Sequence, residues 1–294
     1  MSKMGAQNLR FRYSRRTRIL ITLVIFCFCP QFSLANPIFV VPKRVVSIHL
    51  CADQLLLALA DQSQIASVSH LAKDPVRSHM AAAAKDIPVN YGGAEEVIAY
   101  KPDLILAGAQ STRISVLALR RLGFKVIDLP LTHNFREIRS QIQKVANLLG
   151  HTKRGEKLTS KINLSLNQVL IEKESKKPLA AIFQPMGFTS GSGSLENTLL
   201  VSAGFENLAA RQGVGLLGHL TLEKLVLAQP DLLVNWMGNE PHPSLARAGY
   251  KHPVFSKSHW KIITIPQKYW ACGSWYSAEA VELLSKLRPS IVGK

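Results

Sequence analysis

The stretch EEVIAYKPDLIL, residues 95–106, is similar to a second stretch, EKLVLAQPDLLV, residues 223–234. The two align without a gap at an offset of 128 residues. Each copy opens with a glutamate, continues through apolar residues and reaches Pro-Asp followed by an apolar run. Because proline disfavours helix at the residue before it, Lys101 and Gln229 are predicted to end short helices. The apolar run after each aspartate is typical of a buried strand. Both copies are therefore predicted to be the same helix–strand joint.

The segments around the two copies alternate between strand-like and helix-like patterns. In the first half, β-branched runs at residues 44–50, 65–70 and 125–130 predict strands, and CADQLLLALA predicts a helix. The alternation restarts after Pro178 and ends in the amphipathic helix SAEAVELLSKLRP. Strands that alternate with helices predict parallel sheets. A chain of 294 residues is long enough for two such α/β lobes.

A mostly helical stretch separates the two halves. Asn134 and Glu137 form a capping-box pattern at a helix start, and apolar residues then recur at helical spacing on both sides of Gly150. The predicted domains are an N-terminal α/β lobe over residues 36–132, a bridging helical segment over 133–177 and a C-terminal α/β lobe over 178–294.

The first 35 residues have the pattern of a secretory signal peptide. Six basic residues precede an apolar run of eleven residues that ends before Pro30, and Ser33 and Ala35 supply the small residues of a cleavage site. The run is too short to span a bilayer. We therefore expect cleavage near Ala35 and a periplasmic protein, with the choice between the general secretory and twin-arginine routes left open.

Removal of the signal changes the charge and the cysteine count. The whole chain has a net charge of +17, and the remainder has 30 basic against 19 acidic residues, a net charge of +11. The basic residues are scattered, so a nucleic-acid partner is not predicted. Two cysteines remain, Cys51 and Cys272. Their spacing does not decide whether they pair, and free thiols are slightly favoured.

The order of these segments resembles periplasmic substrate-binding proteins of ABC importers, in the group that carries ferric siderophores, haem or cobalamin. The resemblance covers about residues 44–289 and rests on RVVSIHLCADQLLLALADQSQIASVSH, the two Pro-Asp joints, the long helical stretch and the closing SAEAVELL. It implies two parallel-sheet α/β lobes bridged by one long rigid helix, with a ligand cleft between them. It also implies that Glu95 and Glu223 each meet an arginine of the membrane permease, with Glu96 as an alternative to Glu95.

Ligands of parallel sheets bind beyond the carboxyl ends of the strands. The candidate ligand-binding residues follow predicted strands and supply aromatic faces for a large flat ligand. They are Trp236, Tyr91, Trp270, His49, His70, Gln110, Trp275 and Phe188. The expected function is capture of a ferric siderophore or cobalamin and its delivery to an inner-membrane ABC permease. We expect a monomer with no cofactor.

Three other functions are less favoured. One is haem binding with an axial ligand from Tyr91, His70 or His49, and another is binding of a bare metal ion through histidines such as His49, His70 and His219. The third is a two-lobe enzyme such as a glycosyltransferase, which the scarcity of carboxylates at the strand ends disfavours. GVGLLG, residues 213–218, matches a dinucleotide fingerprint but follows no predicted buried strand, so it is interpreted as a loop.

Overall fold

The structure is a computed structural model that describes residues 40–109, 111, 113–169, 177–235 and 252–292. The predicted signal peptide lies outside these residues. Within them, no helix is both long and apolar enough to cross a membrane.

The first lobe is built on a five-stranded parallel sheet in the order β3-β2-β1-β4-β5. Its central strands β1 and β4 are buried along their whole length, as expected for a parallel sheet covered on both faces. The strands are β1 (Val45–Ser47), β2 (Ile65–Ser69), β3 (Val89–Asn90), β4 (Leu104–Gly108) and β5 (Val126–Leu129). The connecting helices are α1 (Leu50–Leu59), α2 (Ala94–Ala99) and α3 (Arg113–Arg121).

The helical segment between the lobes consists of two helices, α4 (Phe135–Leu149) and α5 (Thr152–Asn167). The predicted capping box is present, since Asn134 accepts a hydrogen bond from the amide of Glu137 at 3.0 Å. Gly150 ends α4 in the left-handed conformation, at φ 81°. α5 then runs back along α4, so that Arg139 donates to Asn163 at 3.2 Å. The segment is helical as predicted, but it is an antiparallel pair and not one long rod.

The second lobe contains a four-stranded parallel sheet in the order β11-β10-β6-β8 and a short antiparallel pair, β7 with β9. Its strands are β6 (Leu179–Ile182), β7 (Phe188–Thr189), β8 (Glu206–Asn207), β9 (Gly218–His219), β10 (Leu232–Asn235) and β11 (Lys261–Thr264). Its helices are α6 (Leu195–Ser202), α7 (Leu208–Arg211), α8 (Leu222–Ala228), α9 (Val254–Lys257), α10 (Ser277–Leu287) and α11 (Pro289–Val292).

The two copies of the repeated phrase form equivalent joints. The first copy runs from α2 to β4 and the second from α8 to β10, and β4 and β10 each pair with the first strand of their own sheet. Lys101 and Gln229 both have positive φ, at 48° and 45°. Asp103 accepts hydrogen bonds from the amides of Lys43 and Arg44, and Asp231 from that of Leu179. The predicted joint is confirmed, and its aspartate ties the new strand to the start of the first one.

One hydrophobic core runs through both lobes. It includes Leu56 of α1, Ile138 and Ile142 of α4, and Leu284 of α10, all of which are almost fully buried. α4 packs against α1, while α5 packs against α10. The α4–α5 pair therefore joins the two lobes by burying apolar side chains against each of them.

Candidate ligand-binding cleft

His49 lies where β1 ends and α1 begins. It is the N-cap of α1, and its Nδ1 accepts a hydrogen bond from the amide of Cys51 at 3.3 Å. Burial lowers the pKa of His49, which favours the neutral imidazole. Because Nδ1 is the acceptor, the neutral ring carries its proton on Nε2. The ring also packs against Gly108, where an added Cβ would lie 2.2 Å from Nδ1.

His70 and Tyr91 follow β2 and β3 and stack on each other. Their ring centroids are 4.7 Å apart and their planes differ by 23°. The backbone of Tyr91 is held by Glu96, which accepts its amide hydrogen at 2.7 Å, while the side chain is 73% exposed. The preceding Asn90 is buried and donates to the carbonyl of Ser47 at 2.9 Å. Tyr91 therefore presents an exposed ring from a fixed backbone.

Cys51 and Cys272 form a disulfide, with a Cα–Cα distance of 5.3 Å. The slight preference for free thiols was wrong. The two residues are 221 positions apart, and only the folded arrangement brings the start of α1 next to a loop of the second lobe. The bond covalently ties one lobe to the other beside the strand ends.

Noncovalent contacts support the same arrangement of the lobes. The hydroxyl of Thr198 donates to the carbonyl of His133 at 2.7 Å. The ring of His79 stacks on the fully buried ring of Tyr276 at 4.7 Å. A side chain at Gly273 would collide with Thr132, since an added Cβ would lie 2.0 Å from its Oγ1. The cleft is thus bordered by lobes that are packed together.

Two adjoining cavities, of about 420 Å³ and 320 Å³, occupy the cleft. They share His49, Leu131, Ala271 and the disulfide. The larger cavity is bordered by polar and aromatic side chains of the first lobe, which include Ser69, His70, Arg77, Tyr91 and Ser111. The smaller cavity lies against the second lobe and is more apolar, with Leu195, Glu196, Leu216, Leu217 and Trp270 in its wall.

Glu196 is the one acidic side chain among the described residues that line these cavities. Burial raises the pKa of Glu196, an effect opposed by a hydrogen bond with its own amide, by nearby His133 and by the Ser194 hydroxyl. Arg77 is the one lysine or arginine among those same lining residues, and its Nε lies 3.6 Å from Asp74. The cleft is therefore mainly apolar and aromatic, with one cation in the larger cavity and one carboxyl group in the smaller.

Four of the residues predicted from the sequence line the cavities: His49, His70, Tyr91 and Trp270. Trp275 is only 7% exposed and packs edge-on against Tyr276, and Phe188 packs against His219 at 4.3 Å. Neither lines the two cavities. Trp236 and Gln110 lie outside the described residues.

Several lining residues were not predicted: Arg77, Leu131, Glu196, Leu216 and Leu217. The last two belong to GVGLLG, in which residues 213–217 form a loop as interpreted and Gly218 begins β9. The backbone of this loop pairs with the loop after β7, since the amide of Gly191 donates to Gly215 at 2.8 Å. The signal available in the sequence was the pair of adjacent leucines within a glycine-rich stretch.

The two glutamates of the repeated phrase lie in the first turns of α2 and α8, and both are exposed. Hydrogen bonds with its own amide and with the Thr221 hydroxyl lower the pKa of Glu223, which keeps it ionised. Glu96 is occupied by the amide of Tyr91, whereas Glu95 extends into solvent.

No three histidine, cysteine, aspartate or glutamate side chains come together as a possible metal site in the described part of the chain.

A family model described as "Periplasmic binding protein" matches residues 45–240. The chain belongs to this family. The periplasmic binding protein is 25% identical over 228 residues to an uncharacterized ABC transporter substrate-binding lipoprotein of Bacillus subtilis, covering 74% of this chain and 71% of the relative.

Solved structures share the fold of this periplasmic binding protein. A periplasmic heme-binding protein of Roseiflexus, in apo form, gives a TM-score of 0.68 at 19% identity and covers 85% of this chain and 98% of its own. A periplasmic heme-binding protein of Vibrio cholerae gives a TM-score of 0.69 at 18% identity and covers 83% of this chain and 98% of its own. A periplasmic vitamin B12-binding protein of Vibrio cholerae gives a TM-score of 0.63 at 18% identity and covers 86% of this chain and 98% of its own. The predicted two-lobe α/β fold is confirmed, and the protein is a substrate-binding protein of the ABC-importer type.

Proposed function

We propose that this periplasmic binding protein captures a metal tetrapyrrole, either cobalamin or haem, in the cleft and delivers it to an inner-membrane ABC permease. The stacked, exposed rings of His70 and Tyr91 beside the larger cavity carry this proposal. Flat ligands pack on aromatic faces, and imidazole and phenolate groups are both used as axial ligands of haem iron. His49, on the wall that the two cavities share, supplies a second imidazole.

The size and polarity of the cleft support the same ligand class. The two adjoining cavities are in the size range of pockets that hold organic ligands and are lined mainly by apolar residues. A ferric siderophore complex that carries several negative charges would need several cations, whereas Arg77 is the one lysine or arginine in the described lining. The heme-binding and vitamin B12-binding proteins that share the fold are consistent with a tetrapyrrole.

The test is titration of the purified chain, from residue 36 onward, with haem, cyanocobalamin, a ferric catecholate and a ferric hydroxamate. Binding is followed by tryptophan fluorescence and by the absorption bands of the ligand. We expect one tetrapyrrole to bind with a dissociation constant in the micromolar range or below. Tyr91→Ala and His70→Ala should weaken binding about tenfold, while Phe188→Ala, outside the cavities, should not. Binding of a siderophore and of neither tetrapyrrole would refute the assignment.

We also propose that Glu95 and Glu223 dock the protein on its permease, one from each lobe. Charge-assisted hydrogen bonds between a carboxylate and arginine are strong and directional. The exposure of both glutamates at equivalent positions supports this role. Glu95 is the better candidate than Glu96, because Glu96 already accepts the amide hydrogen of Tyr91. We further propose that the signal peptide directs export to the periplasm and is cleaved near Ala35.

A further inference from the structure

We propose that Glu196 selects a tetrapyrrole whose rim carries amides, as the corrin ring of cobalamin does, over one whose rim carries carboxylates, as haem does. The inference rests on the proposed tetrapyrrole-binding function and narrows its ligand class. The propionates of haem are anionic, whereas the amide side chains of the corrin ring are neutral and both donate and accept hydrogen bonds. The charges and hydrogen-bonding groups of the cleft discriminate between these two rims.

Glu196 lies in the first turn of α6, on the wall of the smaller cavity. Hydrogen bonds fix the start of this helix on both sides. Ser194, its N-cap, accepts the amide hydrogen of Asn197 at 3.0 Å. The hydroxyl of Thr198 donates to the carbonyl of His133 at 2.7 Å. A side chain on an anchored helix is well placed to set specificity, because little ordering is needed when the ligand binds.

The cleft offers little positive charge to balance ligand carboxylates. Arg77 is the one lysine or arginine among the described lining residues, and it borders only the larger cavity. Its Nε lies 3.6 Å from the carboxylate of Asp74, so its charge is already partly balanced. In the smaller cavity, the described lining contains Glu196 and neither lysine nor arginine. A ligand carboxylate placed there would lack a counter-ion and would face a group of its own sign, which opposes binding.

Uncharged hydrogen-bonding groups are more common in the described lining than charged ones. Hydroxyl and amide side chains of this kind are Thr132, Ser190 and Ser194 in the smaller cavity, and Ser69, Ser111 and Gln267 in the larger. Glu196 complements a primary amide in both of its protonation states. The ionised carboxylate accepts an amide N–H, and the neutral carboxyl group can also donate to the amide oxygen. This lining therefore satisfies an amide-bearing rim and leaves a carboxylate-bearing rim without its cations.

The test compares two cobalt corrinoids that differ in the charge of the rim. Dicyanocobinamide has amide side chains, whereas dicyanocobyrinic acid has carboxylates. Cyanide occupies both faces of the cobalt in each, so coordination by a histidine or tyrosine contributes to neither affinity. Binding of both corrinoids and of haem to the purified chain, from residue 36 onward, is followed by tryptophan fluorescence. We expect the wild type to bind the amide corrinoid about tenfold more tightly than the carboxylate corrinoid or haem.

Variants at Glu196 test its part in this preference. Glu196→Gln removes the charge at nearly constant size and should lower the ratio of the two corrinoid affinities about fivefold, while Glu196→Lys should reverse their order. Glu156→Gln, the same change at an exposed position of α5, is the matched control and should keep the ratio of the wild type. A ratio measured within one variant does not depend on the fraction of the chain that is folded.

The outcomes separate this inference from the proposed function. An unchanged ratio in both Glu196 variants would overturn the role of Glu196 and keep the tetrapyrrole function. Tighter binding of haem than of the amide corrinoid by the wild type would do the same. Failure of both corrinoids and of haem to bind would refute the proposed function and, with it, the selection by Glu196.

Discussion

Cys51, in the first turn of α1, is bonded to Cys272, in a loop of the second lobe, and both residues line both cavities of the cleft. The bond closes a chain segment of 221 residues. The covalent link between the lobes is therefore also part of the ligand-binding wall.

We expect the double variant Cys51→Ser/Cys272→Ser to lose stability, because the unfolded chain is no longer restricted by the crosslink. Loop-closure entropy predicts a loss of about 2–5 kcal/mol in the free energy of unfolding. Ligand affinity should fall as well, since the wall shared by the cavities is released. Denaturant unfolding and the haem and cyanocobalamin titrations measure the two effects.

Reduction provides the control for this prediction. Dithiothreitol should bring the wild type to the stability of the double variant and should leave the variant unchanged. Equal stability of oxidised wild type and double variant would contradict the crosslinking role.

Asp53 makes the stability depend on pH. Its side chain is fully buried in α1 and accepts a hydrogen bond from the amide of Ser69 at 2.9 Å and another from the Ser69 hydroxyl. Burial raises the pKa of Asp53 from 3.8 to about 7, although hydrogen bonds with Ser47 and Ser69 oppose the shift. The pKa of Asp53 is higher in the folded protein than in the unfolded chain, so the neutral carboxyl group contributes its full stabilisation of the fold below pH 4. This contribution is lost as pH rises towards 7.

The measurement compares wild type with Asp53→Asn by denaturant unfolding between pH 4 and pH 8. As pH rises from 4 to 7, the free energy of unfolding of the wild type should fall relative to that of Asp53→Asn by on the order of 4 kcal/mol. Above pH 7 the difference between the two proteins should stay constant. Asp128→Asn, which alters an exposed ion pair with Arg120, is the control. Parallel curves for wild type and Asp53→Asn would show that the folded and unfolded pKa values are alike.

Gly108 determines the position of the His49 ring. An alanine Cβ there would lie 2.3 Å or less from two atoms of the imidazole, so the ring must move. Gly108→Ala should therefore weaken tetrapyrrole binding about tenfold, an estimate for one lost contact. In the background of His49→Ala the same change should have little further effect, because non-additivity identifies residues in contact. Gly93→Ala is the control, since its Cβ would meet no atom within 4 Å.

Reversal of the charge at Glu95 and at Glu96 should have different effects on uptake and on ligand affinity. Glu95→Lys with Glu223→Lys should abolish uptake by cells that lack their own copy of the protein, while ligand affinity stays within about twofold of the wild type. Glu96→Lys should instead lower ligand affinity, because the amide of Tyr91 loses its acceptor. Glu156→Lys, on α5, serves as an exposed control. Normal uptake by the double variant would refute the docking assignment.

The longer elements of the fold follow from local sequence patterns. The runs at β1, β4 and β10 are apolar and bounded by turn signals, and the capping box at Asn134 marks the start of α4. The two-residue strands β3, β7, β8 and β9 carry no periodicity and were not predicted. The turn at Gly150 was visible, but whether α5 continued the line of α4 or folded back was not.

The candidate site was only partly accessible from the sequence. His49, His70 and Tyr91 could be proposed because strand ends of a parallel sheet meet at one edge. Trp275 satisfied the same rule, yet the fold turns it into the packing around Tyr276. Arg77 and Leu216 lie in loops and Glu196 lies in the first turn of α6, and the positions of all three depend on contacts with distant segments.

The sequence by itself determined the repeated joint, the two α/β lobes and the candidate docking glutamates, because these depend on residues close together in the chain. Only the tertiary structure decided the disulfide, the wall of the cleft and the packing of the two lobes against each other. These features depend on which side chains meet across 100 residues or more, and hydrophobic burial acts without regard to sequence distance.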